Sequence, residues 1–161
     1  MEKQGSRANS APLLCWDIFI ETVERREFFA DDIKSLRKIS RANKWPPLDL
    51  SFENALIWEN KTIIVTDPTL VILYATKNLA DMSGYSASEV IGQTPKMFQG
   101  KETGKKERSL IREAIDQQKP FEVVITNYKK DGSLYHCHVD AYPVFNSKKQ
   151  LVNFIAFEKA A

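Results

Sequence analysis

The sequence is poor in the residues that would mark it as secreted, metal-binding or membrane-embedded. Its 161 residues include only two cysteines, Cys15 and Cys137, which stand far apart. Two such cysteines make neither a disulfide framework nor a metal-ligand spacing, and this usage is typical of a reducing compartment. No apolar run approaches the roughly 20 residues of a membrane span. We therefore expect a cytoplasmic protein with no membrane partner.

Charge of one sign and catalytic motifs are also lacking. The chain carries 23 basic and 21 acidic side chains, for a formal net charge of +2. This balance gives no electrostatic reason to expect direct binding to nucleic acid. The sequence contains no recognisable set of nucleophile, base and orienting residue, no glycine-rich phosphate loop and no metal quartet. The chain is therefore not predicted to be an enzyme.

Helical patterns dominate the first 60 residues. Residues 1–11 are predicted to be a disordered lead, and residues 12–60 a helical extension with a connector. Asp31-Asp32 is predicted to break the extension into two helices, the second of which ends ahead of Trp45-Pro46-Pro47. The first helix, over residues 13–29, is indicated by an apolar spacing of i, i+3, i+4 and i+7. This spacing is formed by Trp16, Phe19, Ile20 and Val23.

The remainder, residues 61–161, alternates between strand and helix patterns. The β-branched segment Thr62–Thr66 and residues 71–74 predict a hairpin, which short helices follow. The segment Lys105–Gln118 carries an apolar stripe typical of a longer helix. Three strand patterns complete the domain, and Asp131-Gly132 marks a tight turn between the first two. We predict an α+β fold with a five-stranded antiparallel sheet, short helices on one face and an N-terminal helical extension.

Short segments within residues 60–158 occur in a continuous and characteristic order. They are Val65–Pro68, Gly84–Ser86, Gln99–Gly100, Glu102–Thr103, Ile111–Arg112, Asn127–Gly132 and Pro143–Val144. In this order the domain resembles the PAS family of sensory domains, and within it the light-oxygen-voltage (LOV) branch. The resemblance implies a PAS fold whose central pocket holds a small ligand, which is flavin mononucleotide (FMN) in LOV domains. It also implies signalling through flanking helices or through dimerisation.

The resemblance assigns candidate cofactor-binding residues around Thr94–Gly100. Thr94 stands where LOV domains have an asparagine, and Pro95 stands where they have the cysteine that attacks the flavin after light absorption. Because proline carries no nucleophilic sulfur, cysteine-adduct photochemistry is not expected. Lys96 replaces an arginine that pairs with the flavin phosphate, and Gln99 retains a contact to the flavin ring.

The other candidate positions lie further along the chain. By the same resemblance, Arg112 aligns with a second phosphate-binding arginine, and Asn127 with an asparagine at the pyrimidine edge of the ring. Cys137 replaces a second asparagine at that edge. Glu158 replaces a glutamine that faces the flavin N5, and an ionised glutamate could only accept a hydrogen bond there.

Two functions stay open from the sequence. In the first, a PAS module binds a small ligand, with FMN as a candidate, and signals through flanking helices or as a homodimer. In the second, a ligand-free PAS domain of a larger regulator serves protein–protein interaction or dimerisation, as the departures from the LOV pattern favour. The resemblance ends near Glu158, so both a stand-alone module and a piece of a longer regulator fit the sequence. The aromatic residues of the first helix would pack on the sheet or form the dimer interface.

Overall fold

A computed structural model describes residues 13–48 and 51–161. The lead predicted for residues 1–11 lies outside the described residues. A five-stranded antiparallel sheet has the strand order β2-β1-β5-β4-β3. The predicted α+β fold, with helices beside this sheet and a helical N-terminal extension, is confirmed. The elements are α1 (Leu13–Ala42), a π-helical turn (Asn54–Trp58), β1 (Thr62–Thr66), β2 (Ile72–Ala75), α2 (Leu79–Ser83), α3 (Ala87–Val90), a 3₁₀ helix (Pro95–Phe98), α4 (Lys105–Asp116), β3 (Phe121–Tyr128), β4 (Leu134–Phe145) and β5 (Leu151–Ala160).

The extension contains one continuous helix of 30 residues, so the predicted break at Asp31-Asp32 is wrong. Asp32 is buried inside α1, where its carboxylate accepts a hydrogen bond from the Tyr74 hydroxyl at 2.6 Å. The backbone N–H of Lys77 donates to the same carboxylate at 3.3 Å. These tertiary partners satisfy an aspartate that sequence rules place at a helix start. The helix ends at Ala42, in agreement with the stop predicted before the prolines.

The second half of α1 covers the outer face of the sheet. Every third or fourth residue of this half, Phe29, Ile33 and Leu36, is buried there. Beyond the helix end, Trp45 donates its indole N–H to Asn153 Oδ1 of β5 at 2.8 Å. The sheet residues packed against this half of the helix include Ile63, Val65, Val144, Ile155 and Phe157.

The short helices line the inner face of the sheet. Gly84 ends α2 with a φ of +77°, a conformation that L side chains rarely adopt. A capping box begins α3, because Glu89 accepts a hydrogen bond from the Ser86 backbone N–H at 2.9 Å. These stops keep α2 and α3 short. The chain then crosses the sheet face as the 3₁₀ helix and α4.

Candidate ligand-binding site

A cavity of about 980 Å³ separates the inner face of the sheet from α4 and the 3₁₀ helix. This volume lies at the upper end of the range for small-molecule sites. The walls are mainly apolar, as such sites require. Their apolar side chains include Ile64, Ile111, Ile115, Ile125, Val139, Ala141, Phe154 and Ala156.

The apolar side of α4 faces this cavity instead of a packed core. Ile111 and Ile115, one turn apart, both line the cavity. The structure describes all 12 residues of α4, and none of them is buried. An amphipathic helix of this kind ordinarily buries its apolar stripe. A ligand of matching size would complete the packing that α4 lacks.

The sheet wall of the cavity carries an unpartnered hydrogen-bond acceptor. Asn127 on β3 is 5% exposed, and neither its Oδ1 nor the hydroxyl of Tyr135, which stands opposite it on β4, has a hydrogen-bond partner among the described residues. An unsatisfied buried acceptor costs about 1–3 kcal/mol, so native proteins rarely leave one without a reason. Since Asn127 also lines the cavity, an N–H group of a ligand is a suitable partner.

The same wall contains a buried acid. Glu158 on β5 lines the cavity, and the Cys137 thiol on β4 donates to its Oε2 at 3.6 Å. Burial raises the pKa of Glu158 to about 7. Burial, and then the Glu158 carboxyl beside it, raise the pKa of the Cys137 thiol, which therefore stays protonated. Near neutral pH the Glu158 carboxyl is divided between its neutral and ionised forms.

The wall formed by α4 and the 3₁₀ helix is cationic. Arg108 and Arg112 line it from successive turns of α4, and Lys96 and Lys105 line it nearby. None of these four side chains forms a salt bridge with another described residue. Exposed cations that lack an internal partner suit an anionic group, and an arginine fork suits a phosphate. Sequence reasoning missed Arg108, although its i−4 spacing from Arg112 places both on one helix face.

Six of the seven predicted cofactor-binding residues lie around this one cavity. The exception, Cys137, is fully buried behind Glu158 and does not line the cavity. Neither cysteine of the chain is among the residues described as lining it, whereas Pro95 is. The individual roles assigned to these positions stay predictions. The six lining residues are Thr94, Lys96, Gln99, Arg112, Asn127 and Glu158.

Gly100 and Thr103, which were not predicted as site residues, hold the segment after Gln99 against β3. The Thr103 hydroxyl accepts a hydrogen bond from the Gly100 N–H at 2.9 Å and donates to the Thr126 carbonyl at 2.7 Å. A Cβ on Gly100 would lie 2.5 Å from the Tyr128 ring, so the backbone approaches β3 closely at this point. This anchorage sets the position of Gln99 at the cavity. Both residues belong to segments that carry the resemblance to LOV domains, Gln99–Gly100 and Glu102–Thr103, but the sequence assigned them no role in the site.

This fold agrees with comparisons to known proteins. The PAS domain family model matches residues 60–159, well over half of the chain. The chain belongs to the PAS domain family. Structures similar to this PAS domain are LOV domains. One, from a flavin-analogue study of the light-oxygen-voltage mechanism, has a TM-score of 0.64 at 27% identity and covers 70% of this chain and 86% of its own. The dark structure of the blue-light photoreceptor Aureochrome1 LOV has a TM-score of 0.64 at 26% identity, with coverages of 72% and 86%.

Curated relatives of this PAS domain come from plants, bacteria and archaea. Protein TWIN LOV 1 of Arabidopsis thaliana is 36% identical over 98 residues, which are 58% of this chain and 25% of that protein. The bacterioopsin transcriptional activator of Halobacterium salinarum is 31% identical over 93 residues, with coverages of 58% and 14%. The blue-light photoreceptor of Listeria monocytogenes is 27% identical over 118 residues, with coverages of 71% and 46%. The chain therefore spans less than half the length of each of these relatives.

Among the described residues, no helix combines the length and the apolar character needed to cross a membrane.

Proposed function

We propose that this PAS domain is a sensory module whose cavity binds a flat ring ligand with an anionic tail, and that FMN is this ligand. One observation carries the proposal. The cavity presents the unpartnered acceptor of Asn127 on its sheet wall and cations without salt-bridge partners on the wall formed by α4 and the 3₁₀ helix. A ligand that pairs with both walls would satisfy groups that the protein leaves unsatisfied. The similarity to LOV domains supports a flavin as this ligand.

The residues present fit FMN. Asn127 and Gln99 would hold polar edges of the ring, and the apolar wall would pack on its faces. Arg108, Arg112 and Lys96 would hold the phosphate. Bound flavin would supply blue-light absorption and redox chemistry. Because no thiol is described as lining the cavity, we propose that this module signals without a cysteine adduct.

The phosphate end gives the sharpest test of this proposal. We expect the R108A/R112A double variant to bind FMN at least tenfold more weakly than the wild type, since each charge-assisted hydrogen bond is worth about 1.5–3 kcal/mol. Riboflavin, which has the same ring without the phosphate, should bind both proteins with similar affinity. Flavin fluorescence quenching during titration of the ligand-free protein measures both dissociation constants.

A matched control comes from the same helix. Lys106 is exposed on α4 and does not line the cavity, so Lys106→Ala should leave FMN affinity unchanged. Equal loss of FMN and riboflavin binding in R108A/R112A would show that the arginines support the fold and not the phosphate. If neither FMN nor riboflavin binds to the wild type, the assignment of a flavin as the ligand is wrong.

We also propose that the module acts as a homodimer through α1. Trp16, Phe19, Ile20 and Val23 are exposed by 61%, 60%, 50% and 39%. At 3.6 residues per turn these four point roughly 140° away from the helix face that Phe29 and Leu36 bury on the sheet. They therefore form a second apolar face, for which the molecule's own sheet offers no cover.

A ligand-free interaction domain is the competing function. The apolar face of α1 is compatible with it, and so is the loss of the amides that LOV domains carry at Cys137 and Glu158. The cavity of about 980 Å³ favours ligand binding, since an interaction domain has no need of an unfilled interior.

We assign no catalytic reaction to the cavity and place the protein in the cytoplasm. Output through a kinase or a transcriptional activator, as in relatives bearing those names, would require segments beyond this chain.

A further inference from the structure

The surroundings of Glu158 differ from the rest of the cavity. Its neighbours in the strand register are Thr62 on β1 and Val139 on β4, neither of which is charged. The one described hydrogen bond of the Glu158 side chain comes from the Cys137 thiol. The buried residue Tyr135 lies on the same strand as Cys137. The charged residues that line the cavity from α4 and the 3₁₀ helix do not form a salt bridge with Glu158. They are Lys96, Lys105, Arg108, Arg112 and Asp116.

This setting decides which form of the carboxyl can face a ligand. An ionised carboxylate in an apolar cavity without a paired cation is costly, and a ligand that expels water would raise that cost. The neutral carboxyl avoids the penalty and carries an O–H that needs an acceptor. Asn127 Oδ1, in contrast, is an acceptor that needs a donor. The sheet wall of the cavity therefore offers a donor at Glu158 and an acceptor at Asn127.

Building on the proposed ligand-binding function, we propose that Glu158 is a specificity-determining residue. In its neutral form it donates a hydrogen bond to a carbonyl oxygen or ring nitrogen of the ligand, while Asn127 accepts one from a ligand N–H. The cavity thereby selects a heteroaromatic ring that presents an acceptor and a donor on its polar edge. The isoalloxazine ring of a flavin has both.

This role links affinity to pH with a defined sign. Without ligand, burial sets the pKa of Glu158 at about 7. A ligand that accepts from the neutral carboxyl raises this pKa further, because the neutral form is the one it stabilises. Affinity is then greatest below about pH 7 and falls by up to about tenfold for each pH unit above it. A ligand that donated to the carboxylate would give the opposite slope.

Riboflavin is the right probe, since it lacks a phosphate that would titrate in the same range. Its dissociation constant would be measured by fluorescence quenching between about pH 6 and about pH 8.5 for the wild type and E158Q. We expect the wild-type constant to rise about tenfold across this range. E158Q should show no such rise and should bind as tightly at high pH as the wild type does at low pH, because an amide donates at every pH.

Histidines on the outer sheet face provide the control. Both histidines of the chain, His136 and His138, lie on β4 and contact Thr126 and Glu122, and neither lines the cavity. An H136Q/H138Q variant should keep the wild-type pH profile. If E158Q fails to fold, the H136Q/H138Q variant still tests the role of Glu158. A decline in riboflavin affinity with rising pH that persists in this variant cannot come from these histidines.

The outcomes separate this inference from the function it builds on. Riboflavin binding that does not vary with pH in the wild type, or that tightens as pH rises, would overturn the role of Glu158 while leaving a flavin site. A pH profile that E158Q retains would do the same. If riboflavin fails to bind to any of these proteins at any pH, the flavin proposal and this inference are both overturned.

Discussion

At the scale of single residues, Asp32 shows how a tertiary partner overrides a local preference. In sequence, two aspartates in a row indicate the start of a helix. In the fold, the Asp32 carboxylate is buried and accepts hydrogen bonds from the Tyr74 hydroxyl and the Lys77 backbone N–H. Burial, and next the hydrogen bond to Asp32, raise the pKa of the Tyr74 hydroxyl, so it remains a donor at physiological pH. One residue thus ties α1 to the end of β2.

This contact predicts a difference between adjacent aspartates. Asp32→Ala should lower the free energy of unfolding by about 1–3 kcal/mol, because it leaves the half-buried Tyr74 hydroxyl and the Lys77 backbone N–H without their acceptor. Asp31 is exposed, so Asp31→Ala should change stability by less than about 0.5 kcal/mol. Urea unfolding followed by circular dichroism measures both. Equal losses would mean that the Asp32 contacts contribute little.

The cavity residue Glu158 and its buried neighbour Cys137 make a related point. The alternation of β4 and β5 places both on the inner face, as strand periodicity predicts. Their contact depends on register, since Glu158 lies opposite Val139, two residues along from Cys137. The buried environment that shifts the pKa of Glu158 comes from the packed sheet, and no sequence pattern indicated it.

At the scale of elements, α4 differs from the other described helices in that none of its residues is buried. Its apolar stripe was predicted correctly from the sequence, and so was its start at Lys105. The pattern indicated a packed face, whereas Ile111 and Ile115 line an open cavity. The helix is held mainly by its connections and its neighbour β3. Such an element opens locally at low free-energy cost.

We therefore expect ligand binding to stabilise α4 more than the rest of the fold. Amide hydrogen exchange of α4 should be fast in the ligand-free protein and should slow at least tenfold with saturating FMN, because the ring would bury the apolar side of the helix. The half of α1 around Leu36 is already packed and serves as the internal reference. Comparable protection of both helices without ligand would contradict the expectation.

At the scale of the whole molecule, α1 joins the PAS domain to a surface that the domain does not cover. One face of its second half completes the outer core of the sheet. The other face, in its first half, exposes large apolar side chains such as Trp16 and Phe19. A helix with apolar residues on two sides suits a molecule that packs once on itself and once on a second copy.

The dimer can be tested with charges placed on either side of α1. Phe19→Glu and Val23→Glu lie on the second apolar face and should convert a dimer into a monomer in sedimentation velocity at micromolar concentration. Ile18 is exposed to the same degree as Phe19, at 60%, but points along the side that packs on the sheet. Ile18→Glu should therefore leave the dimer intact. A wild-type monomer, or equal disruption by all three variants, would contradict the proposed interface.

The sequence by itself determined the order of elements and the family of this protein. Strand alternation, the Asp131-Gly132 turn and the capping box at Ser86 depend on residues close together in the chain, so local patterns suffice to predict them. The motif order likewise indicated a PAS domain similar to LOV domains, as the comparisons confirm. Six candidate positions then met at one cavity because the inner faces of the strands and α4 converge there.

Only the tertiary structure decided which buried polar groups have hydrogen-bond or salt-bridge partners and which lack them. It supplied partners to Asp32 and so kept α1 continuous, and it left Asn127 Oδ1 without one. It also placed cations, Arg108 among them, around the cavity without giving Glu158 a cation to pair with. These properties depend on distances and exclusion of water between residues far apart in the chain. Composition and periodicity carry no information about either quantity.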